Sequence, residues 1–266
     1  MRRRWLLAAP ALLLARPARA VAWHGEPAQG ALLLGRAAPG TRLMLDGASV
    51  RVAPDGAFVL GFGRDHGPES TLAITHPDGR PERRRIAVAP RSWDVQSISG
   101  LPPAQVTPDE AALRRINAER ERLVAARSID TPRTDFAEGF VWPARGRISG
   151  IFGSQRILNG QPRQPHYGLD VAGPVGTPIW AAAGGRVTLS AEFFFFGHLL
   201  VVDHGHGVNT LYAHLSERLV AEGAEVARGQ HIAAMGATGR VTGPHLHFSL
   251  SWRLTWLDPQ PLLPPA

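Results

Sequence analysis

From Phe140 to the C-terminus no stretch of this chain sustains a helical period. Short apolar or alternating runs recur instead, at Ile179-Trp180-Ala181, 186–190, 199–202, 209–214, Glu225-Val226, 231–234 and 245–250. Glycines at 205, 207, 236, 239 and 243 stand between them, where tight turns need backbone freedom. This pattern predicts an antiparallel β domain over 139–266. Cysteine is absent, so neither a disulfide nor a thiolate can staple it, and any metal must be held by His, Asp or Glu.

Residues 21–95 are also strand-like. Runs at 41–45, 49–53, 58–60, 72–75 and 85–88 are separated by the turn signals Asp46-Gly47, Asp55-Gly56 and Asp78-Gly79. A small β-sandwich is expected there. Leu101-Pro102-Pro103 opens a linker, 96–138, that carries one expected helix, 107–127. Thr107 reads as its N-cap, Pro108 as its first residue and Glu110 as the partner in a capping box. Leu113, Ile116 and Leu123 give it a narrow apolar stripe, which suits a spacer lying on one domain. The fold class is therefore mainly β: a small N-terminal sandwich, a linker helix and a C-terminal antiparallel domain.

The chain has 266 residues and a formal charge of +7, and all 29 of its basic residues are arginine. Five of them (Arg2, Arg3, Arg4, Arg16, Arg19) lie in the first 20 residues, which hold no acid, so removing that segment takes +7 to +2. A nucleic-acid partner is not expected from so small a charge. The same segment has an arginine-rich start, a short apolar run and Ala18-Arg19-Ala20, the pattern of a cleavable export signal. The mature chain is expected to begin near Val21, to be periplasmic or otherwise exported, and to carry no transmembrane segment.

The chemistry concentrates in three places: His166-Tyr167-Gly168-Leu169-Asp170, Tyr212-Ala213-His214-Leu215, and Gly243-Pro244-His245-Leu246-His247-Phe248. In a strand, His245 and His247 project from one face, and a metal is the usual reason to place two imidazoles side by side. In their order and spacing these segments resemble the lysostaphin-type (LytM-like) zinc endopeptidases, which cut peptide bonds in bacterial peptidoglycan. The likeness runs from about Gly139 to about Leu263 and includes Gly173-Pro174-Val175-Gly176, Val201-Val202-Asp203-His204-Gly205 and Gly236-Ala237-Thr238-Gly239.

That resemblance implies one zinc ion per chain, with His166, Asp170 and His247 as ligands and a fourth position for water, whose pKa falls towards about 7 on such a site. It implies His214 and His245 as the catalytic histidines, whose ordinary pKa near 6.5 suits proton transfer. Peptidoglycan stem peptides would be the substrate. Arg156 and Tyr212 are candidate substrate contacts; a guanidinium at 156 would match a carboxylate. Ser249 stands where many relatives carry Glu, so His247 is expected to lack a carboxylate partner. His204 is expected to orient backbone rather than bind metal, and His24, His66, His76, His198, His206 and His231 to be surface or packing residues. Phe193-Phe194-Phe195-Phe196 reads either as packing or as a groove wall.

Two other readings compete: a non-catalytic relative that activates amidases, and a wall-binding module that needs no metal. Intact candidate ligands favour the enzyme. Because every candidate ligand lies in 139–266, that segment is expected to fold and bind zinc alone.

Overall fold

The computed structural model describes residues 21–100 and 107–265, so the expected leader lies outside the described residues. Two small antiparallel sheets form the N-terminal part. One places Leu32–Arg36 between Ala22–His24 and Ala57–Gly61, and the other runs Ala48–Val50, Arg42–Leu45, Glu69–Thr75, Pro81–Ala87. All three Asp-Gly pairs fall between strands. Asp46 and Gly47 both have positive φ, as a two-residue primed hairpin requires. Leu33, Leu43, Phe58, Leu60, Leu72 and Ile86 are buried between the sheets.

The larger sheet is antiparallel throughout. Its main path is Glu225–Val226, Gly185–Phe193, Gly197–Asp203, Val208–Arg218, His245–Trp252, Leu169–Ala172, Arg147–Gly150. The central strand His245–Trp252 is buried on both faces after His245, and it pairs with Val208–Arg218 on one side and Leu169–Ala172 on the other. The histidine-bearing strands therefore sit in the interior, where a rigid scaffold can hold a site to small tolerances.

The helix spans Glu110–Arg127, and its N-cap is Asp109, whose carboxylate accepts from the Ala112 N–H at 2.8 Å. Thr107 is thus not the cap: a carboxylate three residues before Ala112 captures that orphan N–H and leaves Pro108 outside the helix. The expected stripe is corrected as well. Leu113 is exposed, and the docked face is Glu119, Leu123, Ala126 and Arg127. Glu119 accepts from the Phe194 N–H at 2.8 Å, and Arg127 lies 3.3 Å from the centroid of the Trp256 ring and donates to Ser251 Oγ. Polar anchors therefore share with Leu123 the work of fixing this helix to the large sheet.

The two parts share one apolar core. Arg91 pairs with the buried Asp258 at 2.8 Å, and Arg64 Nε donates to the Gly153 carbonyl at 2.7 Å. The strand Val95–Ile98 pairs in parallel with Gln155–Leu158, so residues at the start of the expected linker extend the C-terminal structure.

Candidate metal centre and catalytic pocket

Asp170 and His247 are direct cross-strand partners, a register that brings their Cβ atoms to within about 5 Å. His166 precedes the Asp170 strand, and its backbone is tied to the 153–154 turn: its N–H donates to Ser154 O and its carbonyl accepts from Gly153 N–H. The three side chains converge. His166 Nε2 is 3.0 Å from Asp170 Oδ1, His247 Nδ1 is 2.8 Å from the same oxygen, and the two ring nitrogens are 3.0 Å apart. All three residues are buried, and one ligand atom from each lies within 4.8 Å of the others.

The outer hydrogen bonds show which atoms are free to ligate. His166 Nδ1–H donates to the Ile151 carbonyl at 2.9 Å, which leaves Nε2 as a lone pair. His247 Nε2 is 2.8 Å from Ser249 Oγ, so a donor Nε2–H there leaves Nδ1 as a lone pair. Two imidazole lone pairs and a carboxylate oxygen then point at one another, an arrangement that repels unless a cation sits between them. The donor set, neutral nitrogen with carboxylate oxygen, is the one zinc takes in hydrolytic sites, and these residues fit a zinc ion. Burial pushes His247 down to about 4, against the pull of Asp170. Burial alone would raise Asp170, but hydrogen bonds and charge from His166 and His247 hold it well below the usual carboxylate range. Those hydrogen bonds need a proton on the facing ring nitrogens; a bound cation would take the place of such protons, leaving ionised Asp170 beside neutral imidazoles. The outer partner of His247 is thus the Ser249 hydroxyl, in the place where a carboxylate was expected to be missing.

Gly168 permits this packing. A Cβ there would meet His247 Cε1 at 2.6 Å, the Phe248 carbonyl at 2.8 Å and Ser249 Oγ at 2.8 Å.

His214 and His245 lie beside the cluster with ring centroids 4.7 Å apart and planes tilted by 53°, and the His214 ring centroid is 5.9 Å from that of His247. Each ring is oriented by a backbone carbonyl: His214 Nδ1–H donates to Thr238 O at 2.8 Å, and His245 Nδ1–H donates to Gly243 O at 2.9 Å. Both Nε2 atoms are therefore bare acceptors, and His245 Nε2 lies 3.9 Å from Asp170 Oδ1. His214 reaches this position through a left-handed backbone, φ 63°, a conformation that costs a β-sheet residue about 1–3 kcal/mol and concentrates at working sites. Burial, with His247 and His245 nearby, pushes it down to about 3, so it departs from the expected value near 6.5.

The same kink corrects the expectation for Tyr212. Regular alternation would place Tyr212 and His214 on one face, but the kink turns only His214 to the pocket. Tyr212 is fully buried, and its hydroxyl accepts from Ala182 N–H at 2.8 Å and from Thr210 Oγ1 at 3.1 Å. It is a core residue that no substrate can touch. Arg156 does reach the pocket, where its Nη2 is 3.2 Å from Asp170 Oδ2. His204 is fully buried between the Gly184 carbonyl and Thr210 Oγ1, away from the ligands.

A cavity of about 130 Å³ opens on the cluster, lined by Asp170, His214, His245 and His247 together with Gln96, Ile98, Arg156 and Arg240. A groove of about 840 Å³ continues from it past Phe193, Phe195, Phe196, Tyr167 and the helix face. The phenylalanine run is thus partly a groove wall, with the Phe196 ring 6.0 Å from that of His247. Gln96, Arg240 and Thr238 were not singled out in the sequence as site residues. Only Thr238 carried a signal, lying in the glycine-flanked Gly236-Ala237-Thr238-Gly239 segment.

Known proteins agree with this geometry. The model of peptidase family M23 matches residues 164–259, which include all five site residues, and that stretch belongs to the family. It is 43% identical over 108 residues to the peptidoglycan DD-endopeptidase ShyA of Vibrio cholerae, a match spanning 40% of this chain and 25% of ShyA. It is 31% identical over 218 residues to the cell division protein DipM of Caulobacter vibrioides, covering 76% of this chain and 35% of DipM. Among solved structures, an M23 peptidase candidate from Pseudomonas aeruginosa superposes with a TM-score of 0.69 at 29% identity, over 88% of this chain and 94% of that one. The chain therefore spans about a quarter to a third of the curated relatives it matches. Among the described residues no helix is long and apolar enough to cross a membrane.

Proposed function

We propose that this protein is an exported zinc metalloendopeptidase that hydrolyses peptide cross-links of bacterial peptidoglycan. The observation that carries this reading is the convergence of His166 Nε2, Asp170 Oδ1 and His247 Nδ1 beside two further histidines whose Nε2 atoms face the same cavity. A wall-binding module or an amidase activator has no use for either feature. The family match and the DD-endopeptidase name of ShyA support a bond between two D-configured residues as the target.

The roles divide as follows. His166, Asp170 and His247 hold the zinc, with Ile151 O and Ser249 Oγ fixing the two rings. Zinc in that position supplies Lewis-acid activation of water and of the scissile carbonyl. His245, the more exposed of the second pair, accepts the water proton at Nε2 and returns it to the leaving amine. His214, kept neutral by burial and with its Nδ1–H given to Thr238 O, presents Nε2 to the cavity as an acceptor that orients the attacking water. The groove walled by Phe193, Phe195 and Phe196 receives the peptide.

Digesting purified sacculi with the zinc-loaded protein and identifying the fragments by mass spectrometry tests the proposal. Cross-linked dimers should fall and monomers rise. Glycan fragments with intact cross-links, or no release at all, would contradict it.

A further inference from the structure

The wall of the zinc cavity is not built by the C-terminal sheet alone. Gln96 and Ile98 line it from the strand Val95–Ile98, which precedes the helix and lies outside the 164–259 family match. Strand alternation sends these two side chains one way and leaves Val95, 64% exposed, on the other face. Backbone bonds fix the strand at both ends: Gln155 N–H donates to Asp94 O at 2.7 Å, and Asn159 N–H donates to Ile98 O at 2.8 Å. Ile98 also packs on the buried Leu158. Gln96 is thus held in place before substrate arrives, which lowers the ordering cost of binding.

The Gln96 side chain is not satisfied where it stands. Its Oε1 is buried, and no donor among the described residues reaches it. Its register partner across the parallel strands is Arg156, whose Nε–H is likewise buried without an acceptor. A buried acceptor left unmade costs stability, and an apolar residue such as the neighbouring Ile98 would avoid that cost. A ligand that brings a donor offsets it on binding. The cavity that Gln96 lines also holds Asp170, His214, His245 and His247, so the ligand there is the peptide being cut. The Arg156 guanidinium beside Gln96 repels an ammonium, which leaves a neutral amide N–H as the donor. In an extended peptide the N–H and C=O of one residue point the same way, so Gln96 Oε1 and Arg156 Nε–H together fit the two polar groups of a single residue.

We propose that Gln96 is a substrate-binding residue of the endopeptidase and accepts, at Oε1, a hydrogen bond from a backbone N–H next to the scissile bond. This rests on the endopeptidase reading and deepens it. The N-terminal part of the chain thereby supplies a group to the active site itself.

The test is a cross-linked stem-peptide dimer, together with forms of it in which each backbone amide next to the scissile bond is replaced in turn by an ester. The ester removes the N–H and keeps the length. The wild-type protein should lose about five- to tenfold in kcat/KM on one of these esters, the range a neutral hydrogen bond to a buried acceptor supplies. Gln96→Met, which keeps the side-chain length without the oxygen, should lose a similar factor on the parent dimer and show no further loss on that ester, because both changes remove one interaction. Gln96→Glu retains an acceptor and should keep the preference for the amide. Both variants should hold as much zinc as the wild type. Should Gln96→Met fail to fold, Gln96→Asn, whose oxygen stops one methylene short, takes its place with the same expected result. Losses that simply add, an ester penalty at no position, or a variant that cuts the parent dimer faster than the wild type would overturn the inference. If the parent dimer is not cut, the endopeptidase reading fails, and calorimetric binding of the same peptides decides this inference by itself. Tighter binding of the amide dimer than of one ester by the wild type, but not by Gln96→Met, supports it, and equal affinities overturn it.

Discussion

Ser249 Oγ and His247 Nε2 stand 2.8 Å apart, two residues from each other on the same strand, so the hydroxyl fixes the ring whose other nitrogen faces Asp170. A serine does here, as a neutral acceptor, what a carboxylate would do more strongly. Ser249→Ala should lower zinc affinity about 10- to 100-fold, the usual cost of losing an outer partner of a metal-bound histidine. Competition with a chelator measures this. Unchanged affinity would show that the hydroxyl does not orient the ring.

Gly168 is the second supporting position. An added methyl would overlap His247 Cε1, and the backbone carbonyl of Phe248 cannot yield as a side chain would. Gly168→Ala should reduce turnover by about 10²-fold, which a 1 Å displacement of a reacting group can cost. Its secondary structure should stay intact by circular dichroism while activity falls.

Acid should destabilise the protein. Burial pushes His204 down to about 4, and an unfolded histidine titrates near 6.5. Because the folded value is depressed, the unfolded chain binds the extra proton between those values. The stability is complete above about pH 6.5 and is lost as pH falls towards 4, by about 3 kcal/mol for this residue. Melting temperatures from pH 7.5 to 4.5 should fall for the wild type and fall less steeply for His204→Gln. Equal slopes would remove His204 from the account.

The fragment 139–266 retains every proposed ligand but loses Val95–Ile98, the neighbour of Gln155–Leu158, and the Arg91–Asp258 pair. It also loses Gln96 and Ile98 from the cavity wall. It should bind zinc, yet melt below the 21–266 chain and show a higher KM. Equal melting temperature and KM would mean that these contacts contribute nothing to the pocket.

The site was legible where local rules govern it. His245 and His247 share a face by strand alternation, and the short spacing from His166 to Asp170 around Gly168 sets a second pair that one register match completes. The Asp-Gly turns were legible for the same reason, since two residues determine their conformation. What escaped depends on partners distant in sequence. The pairing of Val95 with Gln155 leaves no mark on either segment. The left-handed backbone at His214, a non-glycine residue, cannot be foreseen from alternation, and it is why Tyr212 was misplaced. Arg240 reads as an ordinary arginine until Phe195 and the cavity are beside it.

The central claim is that His247 holds the metal while His245, two residues earlier on the same strand face, moves protons. Zinc content of His247→Ala and His245→Ala, measured by mass spectrometry beside the wild type, tests it most directly. His247→Ala should lose most of its zinc, and His245→Ala should keep one ion per chain while turnover drops by about 10²–10⁴-fold. A loaded His247→Ala with an empty His245→Ala would contradict the assignment, and full zinc in both would contradict the metal centre itself.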